Sequence, residues 1–270
     1  MQRFFCTAKI RGRYAPLMYV RAVLMAAAFL AVIAPLRAQD EGDLTLDPAL
    51  AAQPAPRSGL STSLRAAEEL RAEESQRILG VVPEFNITDI HDAAPLSSGQ
   101  KFQLALKSAV DPFTFVAAGL DASIDQSEKE SPGYGTGMEG YAKRFQAAYL
   151  DSFDGAIIGN ALLPSLLHQD PRYFRQGTGS FNSRLMHAIA STWRCRDDNG
   201  HSSWNYSNVL GNIAAGGIAN AYYPANQRGA ALTFQRAFTV TAEGTLGAVF
   251  YEFWPDISRK YLTKKKKLQG

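Results

Sequence analysis

Apolar side chains recur at helical spacing through the second half of this chain, and that spacing constrains the fold more than any other feature. Over 138–157 the following residues recur at every third or fourth position: Met138, Tyr141, Phe145, Tyr149, Phe153 and Ile157. Residues at this spacing share one face of an α-helix, which can then pack against a core. Strand-like alternation of apolar and polar residues is confined to short runs. The pattern therefore predicts an all-α fold.

The same period and the capping residues predict the other helices. Their predicted starts are Ser97 or Ser98, Pro112 behind the cap Asp111, Asn182 or Ser183, Trp204 and Gly229. The last three are expected to end at about Arg196, Ala221 and Phe253, the last of them stopped by Pro255. We expect a compact bundle of about five or six helices that are unusually rich in Gly and Ala. Small faces let helix backbones approach closely, either in a soluble or membrane-associated bundle or in membrane-embedded hairpins.

The first 38 residues have the three parts of a secretory signal. They contain six basic residues and no acidic one, an apolar run over 22–36 and a small residue at Ala38. The apolar run is shorter than the roughly 20 residues that a membrane-spanning helix needs. We therefore expect export to the periplasm or the outer membrane. Because Leu36 lies where a smaller residue is usual before a cleavage site, an uncleaved inner-membrane anchor stays open.

The charge balance changes once the signal is set aside. The chain has 28 Lys and Arg residues against 25 Asp and Glu residues, and without the six basic residues of 1–38 the ratio is 22 to 25. A nearly neutral chain lacks the electrostatic basis of nucleic-acid binding, so we expect no nucleic-acid partner. The basic cluster at 260–267 is either a solvated end or a weak contact to anionic lipid head groups.

Composition divides the rest of the chain into three parts. Residues 39–96 mix Pro, Ala and acidic residues with one charged helix, and we expect a flexible linker there. Residues 97–262 carry the periodic apolar pattern and are long enough for one hydrophobic core, so they form the predicted helical domain. Residues 263–270 form the basic tail.

No motif in the sequence identifies a reaction. The chain has no HExxH or paired-cysteine spacing for a metal, no GxSxG and no phosphate-binding loop, and we expect no metal and no cofactor. Cys195 is the one cysteine that follows the predicted signal. No intramolecular disulfide can then form in the mature chain, and stability must come from packing.

The densest group of polar side chains lies at 162–179, LLPSLLHQDPRYFRQGTG. Pro171 forces the residue before it away from helical angles, so we expect the long helix to end at about Gln169. A histidine or arginine near a helix C-terminus complements the dipole and bonds its free carbonyls, as His168 and Arg172 could. The first interpretation of this stretch is therefore a helix stop, with Tyr173 and Phe174 packing in the core.

A second interpretation places the stretch in a functional site. The candidate catalytic residues, which a periplasmic hydrolase could combine with nearby acids, are His168, Asp170, His187 and His201. The candidate binding residues are Arg172, Tyr173, Asn205, Asn208 and Asn212. The function predicted first is a non-catalytic envelope module that associates with membrane, lipid or an envelope protein, and the hydrolase is its alternative.

Four asparagines share a face of the helix predicted from Trp204: Asn205, Asn208, Asn212 and Asn220. Asn is a poor helix former, and a solvated face would normally use Lys, Glu or Gln. Carboxamides can instead bond one another or a facing backbone. The stripe predicts a polar interior, with an exposed face of undemanding residues as the alternative.

Five segments carry a resemblance to a known group of proteins: 100–115, 134–145, 162–175, 208–224 and 250–261. They resemble an uncharacterised family of exported, signal-bearing envelope proteins of Gram-negative bacteria with no established activity. The resemblance covers most of residues 97–261. It implies an envelope location and a shared fold, and it implies no reaction.

Overall fold

The computed structural model describes residues 61–261, and most of this range is α-helix. The predicted helical class is therefore confirmed. The expected signal at 1–38, the first part of the expected linker and the basic tail at 263–270 lie outside the described residues.

The helices and short strands of the described residues have the following bounds, in chain order. The helices are α1 (Thr62–Glu73), α2 (Ser98–Ala109), α3 (Pro112–Glu128), α4 (Gly137–Asp154), α5 (Leu163–Leu166), α6 (Phe181–Ala190), α7 (Tyr206–Ile218) and α8 (Ala230–Tyr261). A π-helical segment, Gly155–Leu162, joins α4 to α5. The strands are β1 (Arg77–Ile78), β2 (Val82–Pro83), β3 (Ile87–Thr88), β4 (Tyr173–Phe174), β5 (Arg194–Arg196) and β6 (Ser202–Trp204). Strands β1 and β2 pair antiparallel, β3 and β4 parallel, and β5 and β6 antiparallel.

The predicted starts of α2 and α3 are confirmed by their caps. The Ser97 hydroxyl accepts the Gln100 backbone N–H at 3.3 Å, and the Gln100 carboxamide accepts the Ser97 N–H at 2.9 Å, which makes a capping box. The Asp111 carboxylate accepts the Phe113 N–H at 2.9 Å. Each cap satisfies amide groups that the first turn of a helix leaves without a partner.

The compact region starts well before the expected boundary at residue 97. A buried apolar cluster joins Leu70 of α1, Phe85 and Leu96 to Leu104 of α2. The expectation of a flexible linker therefore fails for the described part of 39–96, which packs in the same unit as the later helices. The charged composition of α1 conceals its short buried face, which also includes Ala66.

Helix α8 continues past Pro255 to Tyr261, so the predicted stop at Phe253 is wrong. A proline inside a helix removes the hydrogen bond to the carbonyl four residues earlier, which here is that of Tyr251. The Arg175 guanidinium donates to that carbonyl from Nε at 2.9 Å. The partner lost to proline is thus replaced by a side chain from the segment before α6.

Helix α6 is shorter than predicted, because residues 194–196 form strand β5 and not its last turn. Arg194, Cys195 and Arg196 pair with Trp204, Ser203 and Ser202 in an antiparallel hairpin. The left-handed backbone of Gly200, at φ 83°, lies in the turn that returns the chain.

The small residues of α7 permit the close packing that the Gly/Ala content predicted. A Cβ at Gly211 would lie 2.8 Å from the Gly159 Cα of the π-helical segment, and a Cβ at Gly216 would lie 2.8 Å from the Thr233 carbonyl oxygen of α8. Helix α7 therefore packs backbone against backbone on two sides. Within residues 61–261 no helix combines the length and hydropathy that crossing a membrane requires.

Candidate functional site

His168 ends α5 through its backbone. It has the left-handed angle φ 53°, and the next N–H, of Gln169, donates to the Pro164 carbonyl at 2.9 Å. This bond closes the last turn in the manner of a Schellman cap. The helix stop is confirmed, but it lies at Leu166, before the expected Gln169, because the left-handed residue and not Pro171 turns the chain.

Asp170 and Arg172, a candidate catalytic and a candidate binding residue, are buried and bonded to each other. Arg172 donates from Nε and Nη2 to the two Asp170 carboxylate oxygens at 3.0 and 2.8 Å. It also donates to Glu73 of α1 at 3.1 Å and to the Ala94 carbonyl at 2.8 Å. Burial raises the pKa of Glu73 to about 7, against the opposing charge of Arg172. These contacts tie α1 to the loop after α5.

Tyr173, the next candidate, bonds inward to Glu252 of α8. Its hydroxyl donates to the Glu252 carboxylate at 2.6 Å, and the Gln176 and Gly177 N–H groups donate at 3.0 and 2.8 Å. The Arg184 Nε of α6 completes the set at 2.9 Å. Burial alone would raise the pKa of Glu252, but the hydrogen bonds outweigh it and hold that pKa below its usual value. Glu252 therefore stays ionised while fully buried.

His187 lies on α6 and turns toward the same loop. Its Nε2 is 2.7 Å from the Phe174 carbonyl oxygen, and its ring centroid is 5.8 Å from that of Tyr173. Since a carbonyl can only accept, Nε2 carries the proton in this contact. The imidazole fixes the position of β4.

His168 and His201 are both brought to the hairpin loop between β5 and β6. The His168 Nδ1 is 3.7 Å from the Asp198 carboxylate, and the His201 Nδ1 is 3.6 Å from that of Asp197. Both imidazoles are about 80% exposed, at 81% and 79%. Asp198 also accepts the buried Lys101 ammonium at 2.7 Å. Two of the three candidate histidines thus meet neighbouring aspartates, while His187 serves a different contact.

A groove of about 330 Å³ runs beside these pairs. Its lining includes Asp92, Arg196, Asp197, Asp198 and Asn199. No group of three or more His, Cys, Asp and Glu side chains within the described range could hold a metal ion. The arrangement offers exposed imidazole–carboxylate pairs that could move a proton, in an open setting.

The asparagine stripe faces the interior, as the polar-interior prediction requires. Asn205 caps α7, accepting the Asn208 N–H at 3.1 Å. The Asn208 carboxamide donates to the Thr192 carbonyl at 3.0 Å, and that of Asn212 donates to the Thr241 hydroxyl of α8 at 2.9 Å. Asn208 thus connects α7 to the segment after α6, and Asn212 connects α7 to α8. The contacts described for these asparagines therefore lie within the fold.

The buried charges Glu73, Lys101 and Glu252 were not among the sequence candidates. Each is at most 2% exposed. The sequence does indicate burial of Glu252, because it is the one charged residue in the apolar run FYEFWP at 250–255. For Glu73 and Lys101 no such indication existed, because each shares its helix with a charged residue that lies outside the core, Arg71 in α1 and the half-buried Lys107 in α2.

Helix α8 packs through small, polar side chains. Thr233 accepts from Asn220 at 2.7 Å, and the hydroxyl of Thr245 lies 2.6 Å from that of Thr192 on the segment after α6. Between these two threonines the buried Ala237 continues the row. The inward row of α8 therefore consists of small residues, whereas an ordinary amphipathic helix buries its large apolar residues.

Large apolar side chains of α8 lie instead on the neighbouring, exposed row. We call this row the outer apolar ridge, and its members are Phe234, Phe238, Ala242, Leu246 and Phe250. Its four large side chains are 59, 69, 58 and 38% exposed in chain order. The spacing of four residues places all five on one continuous row of the helix surface.

No family model matches this chain, and neither a curated protein nor a solved structure does.

Proposed function

We propose that this chain is an exported, non-catalytic helical module that binds a protein partner through the outer apolar ridge. The exposure of the ridge carries the proposal. Its three phenylalanines and one leucine present on the order of 400 Å² of apolar surface, given the roughly 200 Å² of a whole aromatic side chain. A patch of this size on a monomer is often functional. Covering it would contribute about 10 kcal/mol before the entropy costs of association.

The internal bonding of the polar candidates supports a non-catalytic role. Asp170, Arg172 and Tyr173 direct their hydrogen bonds to Glu73, to Glu252 or to each other. A side chain that holds two elements of the fold together in this way is not free to bind or release a substrate. We therefore assign these three residues to stability.

Export is supported by the first 38 residues, with their basic start and short apolar run. The resemblance to exported envelope proteins agrees with it. The single cysteine left after removal of such a signal is compatible with an oxidising compartment, since it has no intramolecular partner to mispair with.

A hydrolase is the second candidate function, and one observation favours it. His168 with Asp198, and His201 with Asp197, place two imidazoles beside carboxylates at the edge of a groove. An imidazole oriented by a carboxylate is a common general base. This candidate assigns the function to the hairpin loop and none of it to α8.

Complementation of a deletion strain separates the two candidates. The ridge variant is Phe238→Ser with Leu246→Ser, and its matched control is Val116→Ser, which changes an exposed apolar residue on α3. The histidine variant is His168→Gly with His201→Ala, because glycine keeps the left-handed turn at 168. We expect the ridge variant to lose the cellular function and the other two to retain it.

Immunoblots and thermal melts of the purified variants would show that each one is folded and equally abundant. Mass spectrometry of the wild-type chain from the same cells tests export, for which we expect removal of about 38 residues. Loss of function in the folded histidine variant, with a functional ridge variant, would reverse the assignment in favour of the hydrolase.

A further inference from the structure

The outer apolar ridge is symmetric about its own middle. Phe234 and Phe238 precede Ala242, and Leu246 and Phe250 follow it, so the ridge has two large residues, one small residue and two large residues. An antiparallel copy placed across Ala242 would set Phe234 opposite Phe250 and Phe238 opposite Leu246. A two-fold interface needs this kind of self-complementary surface, in which the same patch serves both partners.

We propose that the ridge is a homodimer interface, in which α8 of a second copy crosses α8 antiparallel at Ala242. This inference rests on the proposed protein-binding function and names the partner. Rows of residues four apart on two helices interdigitate at a crossing angle of about −50°, the commonest class of helix packing. The small side chain of Ala242 lies where the two backbones would come closest.

The surface available fits a second copy. On the order of 400 Å² of apolar side chain per copy, together with the flanking residues of both copies, reaches the roughly 1,000 Å² that a specific interface requires. The row on the far side of the ridge contains Gln235, Thr239 and the exposed Glu243, which would lie at the rim. An apolar centre with a polar rim is the usual composition of such an interface.

The mass of the chain purified from cells that express the complete sequence tests the dimer. Light scattering after gel filtration at micromolar concentration should give twice the mass of one chain. Phe238→Asp with Leu246→Asp should give the mass of one chain, because burial of two carboxylates per copy opposes association. Val116→Asp on α3 is the matched control and should remain dimeric.

Disulfide cross-linking tests the position of the two-fold axis. In a background with Cys6→Ser and Cys195→Ser, Ala242→Cys should form a covalent dimer on mild oxidation, because residue 242 would face itself within the Cα distance of a disulfide. Thr239→Cys, on the rim, should form much less. Equal cross-linking at both positions would overturn the proposed axis.

A wild-type chain that has the mass of one copy and does not cross-link at 242 would overturn the dimer. Flotation of that single-copy chain with phosphatidylglycerol vesicles would overturn it as well and would assign the ridge to lipid. The proposed protein-binding function can fail separately from the dimer. Serine ridge variants that are monomeric and yet fully functional, beside a dimeric wild type, would confirm the dimer and show that the function does not depend on it. A monomeric wild type whose ridge variants still lose function would refute the dimer alone.

Discussion

At the scale of single residues, the charged side chains of this protein hold its segments together. Arg172 joins α1 to the loop after α5, and Arg184 joins α6 to α8 through Glu252. Such pairs lose solvation on burial, and removing one partner leaves a buried charge that costs about 3–5 kcal/mol. The stretch that looks most like an active site in the sequence is thus dense in polar groups because several segments meet there.

The Glu73 carboxyl should make stability depend on pH. Its folded pKa of about 7 lies above the ordinary 4.5, so the folded state binds the proton more tightly than the unfolded state. The stabilisation is then fully present below about pH 4.5 and is lost as the pH rises through about 7, by on the order of 3 kcal/mol. We expect Glu73→Gln to remove this part of the dependence, as measured by urea unfolding between pH 4.5 and 8.

The control for that measurement is Glu139→Gln, which changes an exposed carboxyl on α4. The hydrogen bond from Lys143 lowers the pKa of Glu139, so its contribution is lost only toward acid pH, and the control should leave the profile around pH 7 unchanged. A Glu73→Gln profile parallel to that of the wild type would mean that the Arg172 charge keeps Glu73 ionised in the folded state.

At the scale of elements, glycine positions in α7 decide how closely the helices approach. A Cβ at Gly211 would meet the Gly159 backbone at 2.8 Å, whereas a Cβ at Gly217 would meet nothing within 4 Å. The two glycines lie in the same helix and differ in their surroundings. The same helix carries Asn220 just beyond its end, where the carboxamide reaches Thr233.

Gly211→Ala should therefore destabilise the protein, by about 1–3 kcal/mol as in other overpacked cores. Gly217→Ala is its matched control and should stabilise by up to about 1 kcal/mol, because alanine favours the helix and meets open space. Chemical unfolding of both variants measures the difference. A Gly211→Ala variant as stable as Gly217→Ala would show that α7 can move away from the π-helical segment without cost.

At the scale of the whole molecule, the compact unit depends on residues before 97. Leu70, Phe85 and Leu96 pack with Leu104 in the buried cluster, and Glu73 accepts a hydrogen bond from Arg172. A chain that begins at residue 97 lacks three of the four apolar partners, and its Arg172 loses the contacts to Glu73 and to the Ala94 carbonyl and keeps only Asp170. Each such loss costs about 2–5 kcal/mol, which together matches the whole stability of a typical domain.

We expect a chain that begins at residue 61 to melt cooperatively and a chain that begins at residue 97 to show no cooperative transition. Differential scanning calorimetry and near-ultraviolet circular dichroism of the two chains measure this. A sharp melt for the shorter chain would restore the boundary that composition alone suggested at 97.

What the sequence determined by itself is the part of the structure that depends on residues close together along the chain. The helical class, the caps at Ser97 and Asp111 and the inward face of the asparagines follow from spacings of two to four residues, which a local pattern contains. A helix stop in this stretch also follows from the sequence, but at about Gln169 and through Pro171, whereas the helix ends at Leu166 through the left-handed backbone of His168.

Only the tertiary structure decided what depends on partners far apart in sequence. Arg172 finds Glu73 99 residues away, and Arg175 satisfies the Tyr251 carbonyl 76 residues away, which lets α8 pass through Pro255. The exposure of the outer apolar ridge was decided in the same way, because both rows of α8 have helical spacing. Helix α7 and the segment after α6 occupy the row of small threonines, and the row of phenylalanines is left facing outward.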